Sequence, residues 1–217
     1  MLNRFKRWVG VEPTQPTVQT GPLGLVVGGS WQVELFNVRA NAAAYHLEVG
    51  DTGSVIVAYG QANLGDGVRL HRFYDQDDQV LQLLCATGDL TAIQEITLFQ
   101  SFDSLHPNTS EAWQEWMGPS GWMRQTTYEL DDGTLYQRAW FADDSGIVEP
   151  VRFNEALCRE RTGTPVEQID QHCMLYSREI ADSLPEHLLV TRETNDAGSH
   201  IELRVGVDIQ QSQLSIF

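Results

Sequence analysis

The sequence predicts a mainly β (α+β) domain: an antiparallel sandwich or part-closed barrel of about ten or more strands, with one short capping helix near residues 109–117. Three observations predict it. Apolar residues recur with a period of two through most of residues 23–209, the signature of half-buried strands. A single segment carries both a start and a stop signal for a helix. No strand–helix–strand rhythm occurs, which excludes a parallel doubly wound sheet.

In chain order, residues 23–27 and 31–39 read as strands, with Val33, Leu35 and Phe36 as apolar load. Tyr45, Leu47 and Val49 alternate with His46 and Glu48, as in a half-buried strand. SVIVAYG (54–60) is a short buried strand, and VRLHRFY (68–74) has mixed faces. DQDD (75–78) supplies a turn before the strand 80–85, and residues 93–102 continue in the same style. The helix follows Pro107: Asn108 is the expected N-cap with Glu111 three residues on, and Gly118 the expected left-handed stop. Trp113, Trp116 and Met117 lie on one face of that helix, suited to plug the end of a sheet. The strongest hairpin is residues 122–141, whose Thr-, Tyr- and Trp-rich runs flank Asp131-Asp132-Gly133. A second hairpin joins 187–193 to 199–209, and 173–180 is a further strand. Residues 151–170 fit a strand, a short helix or a loop.

The chain divides by charge. Of its 217 residues, 14 are basic and 30 acidic, for a net charge of −16. Residues 1–10 carry +3, from Arg4, Lys6 and Arg7, which leaves −19 for the rest. Such a body repels phosphate backbones, so nucleic acid is not an expected partner. On a helical wheel Leu2, Phe5 and Trp8 face away from the three bases, which makes residues 1–10 a basic amphipathic tail suited to docking on a membrane surface or a partner. Residues 11–22, with three prolines, form a linker that spans about 37 Å at ~3.1 Å per residue. Residues 23–217 form one β-rich acidic domain. No apolar run reaches the ~18 residues of a membrane-spanning helix, and three unpatterned cysteines suit a reducing compartment, so the expected location is the cytoplasm, peripheral on the inner membrane at most.

Several chemistries are excluded. Lys6 is the sole lysine, which removes Schiff-base and P-loop mechanisms from the body. No GxGxxG, HExxH or GxSxG occurs. The six histidines lack metal spacing, and the adjacent His172 and Cys173 face opposite sides of a strand. No cofactor and no metal are therefore expected. Aspartates at 75/77/78, 131/132 and 143/144 fall where turns are expected and read as bonding their own backbone, with calcium binding or paired-carboxylate hydrolysis as the alternative. Arg69, Arg72, Arg124, Arg138, Arg178 and Arg204 sit in strand runs, as register-setting ion pairs or, if two converge, as an anion site.

Six blocks, GPLGLVVGG (21–29), LGDGVRLHRFYDQDDQVLQL (64–83), TLFQSFDSLHPNTSEAWQEWMG (97–118), TYELDDGTLYQRAWF (127–141), HCMLYSREI (172–180) and VGVDI (205–209), resemble the YjfK-like group of uncharacterised bacterial cytoplasmic proteins. The resemblance implies no activity and no catalytic residues. It implies a context near phage-shock-type membrane-coat proteins and small membrane proteins. The expectation is a non-enzymatic accessory or adaptor protein that works through contact surfaces. Its docking residues would be Leu2, Arg4, Phe5, Lys6, Arg7 and Trp8. The alternative is a small-ligand receptor or hydrolase that gathers strand Arg, Asp and His residues, with Trp122 or Trp140, in a polar pocket.

Overall fold

In a computed structural model, which describes residues 18–48, 50, 54–162, 165 and 167–217, the body is a closed antiparallel barrel with an outer sheath. The proposed docking residues Leu2, Arg4, Phe5, Lys6, Arg7 and Trp8, and Val49, lie outside the described residues. The barrel wall has eight strands: β2 (Ser54–Gly65), β3 (Val68–Asp75), β4 (Gln79–Cys85), β5 (Ile93–Leu105), β8 (Val151–Cys158), β9 (Glu167–Arg178), β10 (Glu186–Asn195) and β11 (Gly198–Asp208). They pair in the order β2-β3-β4-β5-β11-β10-β9-β8, and β8 returns to β2 through Tyr59↔Cys158 to Ala62↔Glu155. Closure leaves the wall without a free edge, which protects a strand-rich protein from edge pairing.

The two longest-shared strands carry the additions. The start of β2 pairs with β1 (Ser30–Val33), which pairs with β12 (Leu214–Ile216). The end of β9 pairs with β7 (Leu135–Arg138), the partner of β6 (Thr127–Glu129). The helices α1 (Phe36–Ala40) and α2 (Ser110–Met117) complete the sheath.

Side-chain alternation splits the apolar load into two layers. Outward residues such as Phe73, Leu83, Leu98, Met174, Val190 and Val205 pack against sheath residues Leu25, Trp31, Leu35, Trp116 and Met123, all buried. Inward residues Ala62, Leu70, Val80, Phe99, Phe153 and Leu189 line the lumen. In the outer layer His71 is 1% exposed and its Nδ1 lies 2.7 Å from the Tyr59 hydroxyl. Burial, reinforced by Arg69, pushes this imidazole down to about 4. The unfolded chain protonates it near 6.5, so the stability held by the neutral ring is complete above that pH and is lost as pH falls toward 4. A shift of that size corresponds to about 3 kcal/mol. A His71→Phe variant is expected to flatten the fall of the urea midpoint between pH 6.5 and 4; an unchanged slope would refute the assignment.

Of the two architectures expected, the barrel is the one formed, fully closed and not part-closed, and the expected helix α2 packs in its outer sheath. Several local expectations are corrected. The run 31–39 is β1 followed by α1, because a helical turn buries Val38 beside Leu35 and leaves Phe36 81% exposed. Residues 23–27 bend instead of extending: Pro22–Gly24 is a 3-10 turn with Leu23 at φ 59°. Gln19 already donates its amide to the Arg161 carbonyl, and Gly21 and Pro22 are buried, so the packed body starts before Leu23. Tyr45 and Leu47 do not join a ladder; the amides of His46 and Leu47 donate to the Glu186 carboxylate instead. Thr109, not Asn108, caps α2, its hydroxyl accepting from the Ala112 amide at 3.1 Å. Gly118 has φ −60° rather than a left-handed value; it is glycine because a Cβ would stand 2.4 Å from the Gln114 carbonyl oxygen. The ambiguous segment 151–170 contains β8 and the start of β9.

Candidate binding groove

Three polar or aromatic constellations stand out, and each is built from residues distant in sequence. The first fills the lumen. Arg72 on β3 donates through Nη1 to Gln171 on β9 at 2.6 Å and to Glu155 on β8 at 3.1 Å, and through Nε to Gln82 at 2.9 Å. β9 lies beyond β2 and β8 around the wall, so only an inward-pointing guanidinium reaches it. Tyr74 donates to Glu155 at 2.8 Å, and Gln171 Nε2 donates to it at 2.5 Å. Burial raises the Glu155 carboxyl, and Arg72 and Tyr74 offset only part of the rise. Further along, Arg204 donates to Glu193 at 2.8 Å and Ser101 to Glu202 at 2.5 Å, at a mouth of about 370 Å³. Burial would raise Glu193 as well, but Arg204 holds it below the usual carboxylate range.

The second constellation is centred on Glu186, whose side chain is fully buried. Its Oε1 accepts from the amides of His46 (2.6 Å) and Leu47 (2.9 Å), and its Oε2 accepts from Tyr136 (2.7 Å) and from Arg178 Nε (2.9 Å) and Nη2 (2.5 Å). Burial works against ionisation, yet the Tyr136 hydroxyl, the Leu47 amide and Arg178 hold the carboxyl below its ordinary range. His46 Nε2 in turn lies 2.9 Å from Asp132 Oδ2. This is a convergence of arginine, carboxylate and imidazole, but every acceptor site on Glu186 is taken by the protein itself. Its work is to fasten the 45–47 segment to the barrel.

The third is an open groove of about 730 Å³ on the outer face, walled by the end of β5, the 3-10 turn Trp122–Arg124 and the β6–β7 hairpin. Its floor is aromatic. Trp116, the inward anchor of α2, meets Trp122 edge-on at 4.8 Å and Tyr128 at 6.2 Å. Phe102 is 41% exposed and Trp122 47%, which is unusual for side chains of this size so close together. Asp103, Glu129, Asp131 and Asp132 line the same groove, and among the described residues no Lys or Arg does. The His46 ring stands edge-on to Phe102 at 5.3 Å and ties that rim to Asp132, whose carboxyl this contact holds well below the usual range.

Arg138 clips the Trp122–Arg124 turn to the loop that follows β7. It is 5% exposed and donates to the carbonyls of Arg124 (3.1 Å), Gly146 (2.9 Å), Phe141 (3.4 Å) and Asp144. A guanidinium alone presents enough donors in a fork for this task. Arg138→Lys is therefore expected to loosen residues 141–149 and to raise their rate of limited proteolysis at least about tenfold, in line with ~1–3 kcal/mol for lost buried hydrogen bonds. Cleavage at the parent rate would show that the clip is dispensable.

The structure thus sorts the sequence-predicted groups. Arg72 and Arg204 enter the lumen, Arg178 joins Glu186, Arg124 pairs with Glu149 outside any strand, and Arg138 is a loop clip. The aspartate turns behave as read: Asp75 accepts from the Asp77 and Gln79 amides, Asp132 from Thr134 and Asp144 from Gly146. Cys85, Cys158 and Cys173 are buried thiols, and the Cys158 Sγ donates to the Glu160 carbonyl at 3.1 Å. Among the described residues no group of three or more His, Cys, Asp or Glu side chains is placed to hold a metal ion, and no helix is long and apolar enough to cross a membrane. Sequence reasoning missed the groove as a unit. The signal for it was the pairing of an aromatic with an acid in SFDS (101–104) and in YELDD (128–132).

Compared with known proteins, residues 4–215 match the model of the family described as "Protein of unknown function (DUF2491)". The chain is 25% identical to "Uncharacterized protein YjfK" of Escherichia coli (strain K12) over 222 residues, which cover 100% of this chain and 99% of that protein. No solved structure matches it.

Proposed function

Since the chain belongs to this family of unknown function, we propose its role from its own surface: it is a non-enzymatic accessory or adaptor protein whose aromatic, acidic groove takes a basic segment of a protein partner. The observation that carries this reading is the joint exposure of Phe102 and Trp122 among four carboxylates, with no basic residue among the described residues of the lining. Arginine or lysine side chains on such a segment gain cation–π contact with the rings, at about 0.5–2 kcal/mol each. Its apolar residues cover ring surface that now meets water. The lumen and Glu186 constellations support the same reading, since their charged groups are committed to each other. Residues 2–8 supply a second contact, suited to the cytoplasmic face of the inner membrane or to a membrane-stress partner of the phage-shock type.

The test is fluorescence anisotropy with a labelled ten-residue peptide of alternating Arg and Trp against its Glu/Trp counterpart. Only the basic peptide is expected to bind, and Asp103→Lys with Asp131→Lys is expected to weaken it about 30-fold or more. Equal affinity for both peptides, or indifference to the two substitutions, contradicts the reading. A second reading, a small polar ligand at the 370 Å³ barrel mouth beside Arg204, Glu193 and Glu202, predicts the opposite pattern: sensitivity to Arg204→Gln and none to Asp103→Lys.

A further inference from the structure

This inference rests on the groove reading above. We propose that in the free protein the groove is occupied by the chain's own residues 2–8, bound in cis, so that a partner must displace them. The chemistry matches: Arg4, Lys6 and Arg7 complement a groove lined by Asp103, Glu129, Asp131 and Asp132, and Phe5 and Trp8 are suited to its rings. The bulk charges match as well, +3 on residues 1–10 against −19 on the remainder.

The anchor point also matches. The chain joins the body at Gln19, held by the Arg161 carbonyl three residues past the end of β8. Leu157 and Arg159 from that end line the barrel mouth together with Ser101 of β5, and Phe102 follows Ser101 on the outer face. The anchor and the Phe102 rim are therefore at the same end of the barrel, and from that rim the groove runs along the outer face toward the β6–β7 hairpin, which pairs with the end of β9. Eight strands ~4.8 Å apart with a tilt near 40° give a wall roughly 16 Å across. Residues 9–17 reach about 28 Å at ~3.1 Å per residue, enough to cross that mouth and pass its rim. The crossing runs over a mouth where Asp75, Asp78, Glu167, Glu193 and Glu202 outnumber Arg159 and Arg204, a net negative rim that favours a basic segment.

A tether of this length holds the tail at an effective concentration of ~1 mM. If the segment's affinity in trans is ~0.1 mM, the tail fills the groove about 90% of the time and weakens any competitor about tenfold. The test uses the full chain and a charge-reversed tail, Arg4→Glu/Lys6→Glu/Arg7→Glu, which leaves every described contact intact. The probe is a fluorescein-labelled peptide of the sequence MLNRFKRWVG. It is expected to bind the tail variant about tenfold more tightly than the parent, and to lose that binding when Asp103→Lys and Asp131→Lys are added. Equal, groove-dependent affinity for parent and tail variant overturns the inference and leaves the groove reading standing. Groove-independent binding, or none to the tail variant, overturns the groove reading too. As an independent readout, a benzophenone amino acid placed at Phe5 in the full chain is expected to cross-link to residues 102–105 or 122–132 of the same chain. Mixing isotopically heavy and light protein separates this from exchange between copies, and cross-links only between copies or to other segments contradict binding in cis.

Discussion

Arg72→Met is expected to destabilise the protein by about 3–5 kcal/mol, because it removes the guanidinium that pairs directly with a carboxylate shut off from water. Glu155 is 1% exposed, and burial already lifts its carboxyl above the ordinary range with Arg72 in place. Without the guanidinium, folding retains Glu155 only by protonating it. Its folded-state pKa then stands further above the unfolded value near 4.5, so stability is fullest below that value and is lost as pH rises through neutrality. The variant's deficit should consequently be larger at pH 8 than at pH 5, measured by urea denaturation. Adding Glu155→Gln removes the stranded charge while keeping an acceptor for Tyr74, and should recover much of the loss and abolish the pH dependence. A deficit that is independent of pH, or no recovery in the double variant, would mean that Arg72 acts through packing alone, for instance over the Phe153 ring 5.5 Å away.

Gly60→Ala should cost a similar amount, about 3–5 kcal/mol, although it adds a single methyl group. A Cβ at Gly60 would stand 1.7 Å from Glu155 Oε1 and 2.7 Å from its Cδ. A long carboxylate side chain ordinarily swings clear of such a clash. Here it is pinned by Arg72, Tyr74 and Gln171, so relief of the clash breaks the ion pair. The check is a double-mutant cycle: on a Glu155→Ala background, which vacates the space, Gly60→Ala should cost at least ~2 kcal/mol less than on the parent. Additive effects would show that Gly60 is required by its strand geometry and not by the carboxylate.

These two residues also show what the sequence conceals. The alternation that marks β3 and β9 as strands is explicit, and it places Arg72 and Gln171 on definite faces. Whether a face is lumen or sheath depends on which strands close the ring, and the β2–β8 pairing that closes it joins residues about a hundred positions apart. Arginines in strand runs were therefore legible as paired, but not as lumen or loop groups. The lost strand at 45–47 has a related cause: its alternation is real, and Tyr45 and Leu47 are buried, yet the backbone partner is a Glu186 carboxylate 139 residues away from Leu47. The capping helix and the hairpin turns were legible because their signals are local. The groove was not, since Phe102, Trp122 and Asp131 come to line one cavity only when the end of β5 and the β6–β7 hairpin are brought together.

Where a basic aromatic segment lands decides whether the groove is the docking surface. Titration of isotopically labelled protein with the Arg/Trp peptide, followed through amide chemical shifts, locates it directly. Saturable shifts confined to residues 102–105 and 122–132, with the Trp122 indole among the largest, are the predicted result. Shifts centred on the barrel mouth around Asp75, Glu193 and Arg204, or small non-saturating shifts spread over the acidic surface, would contradict it.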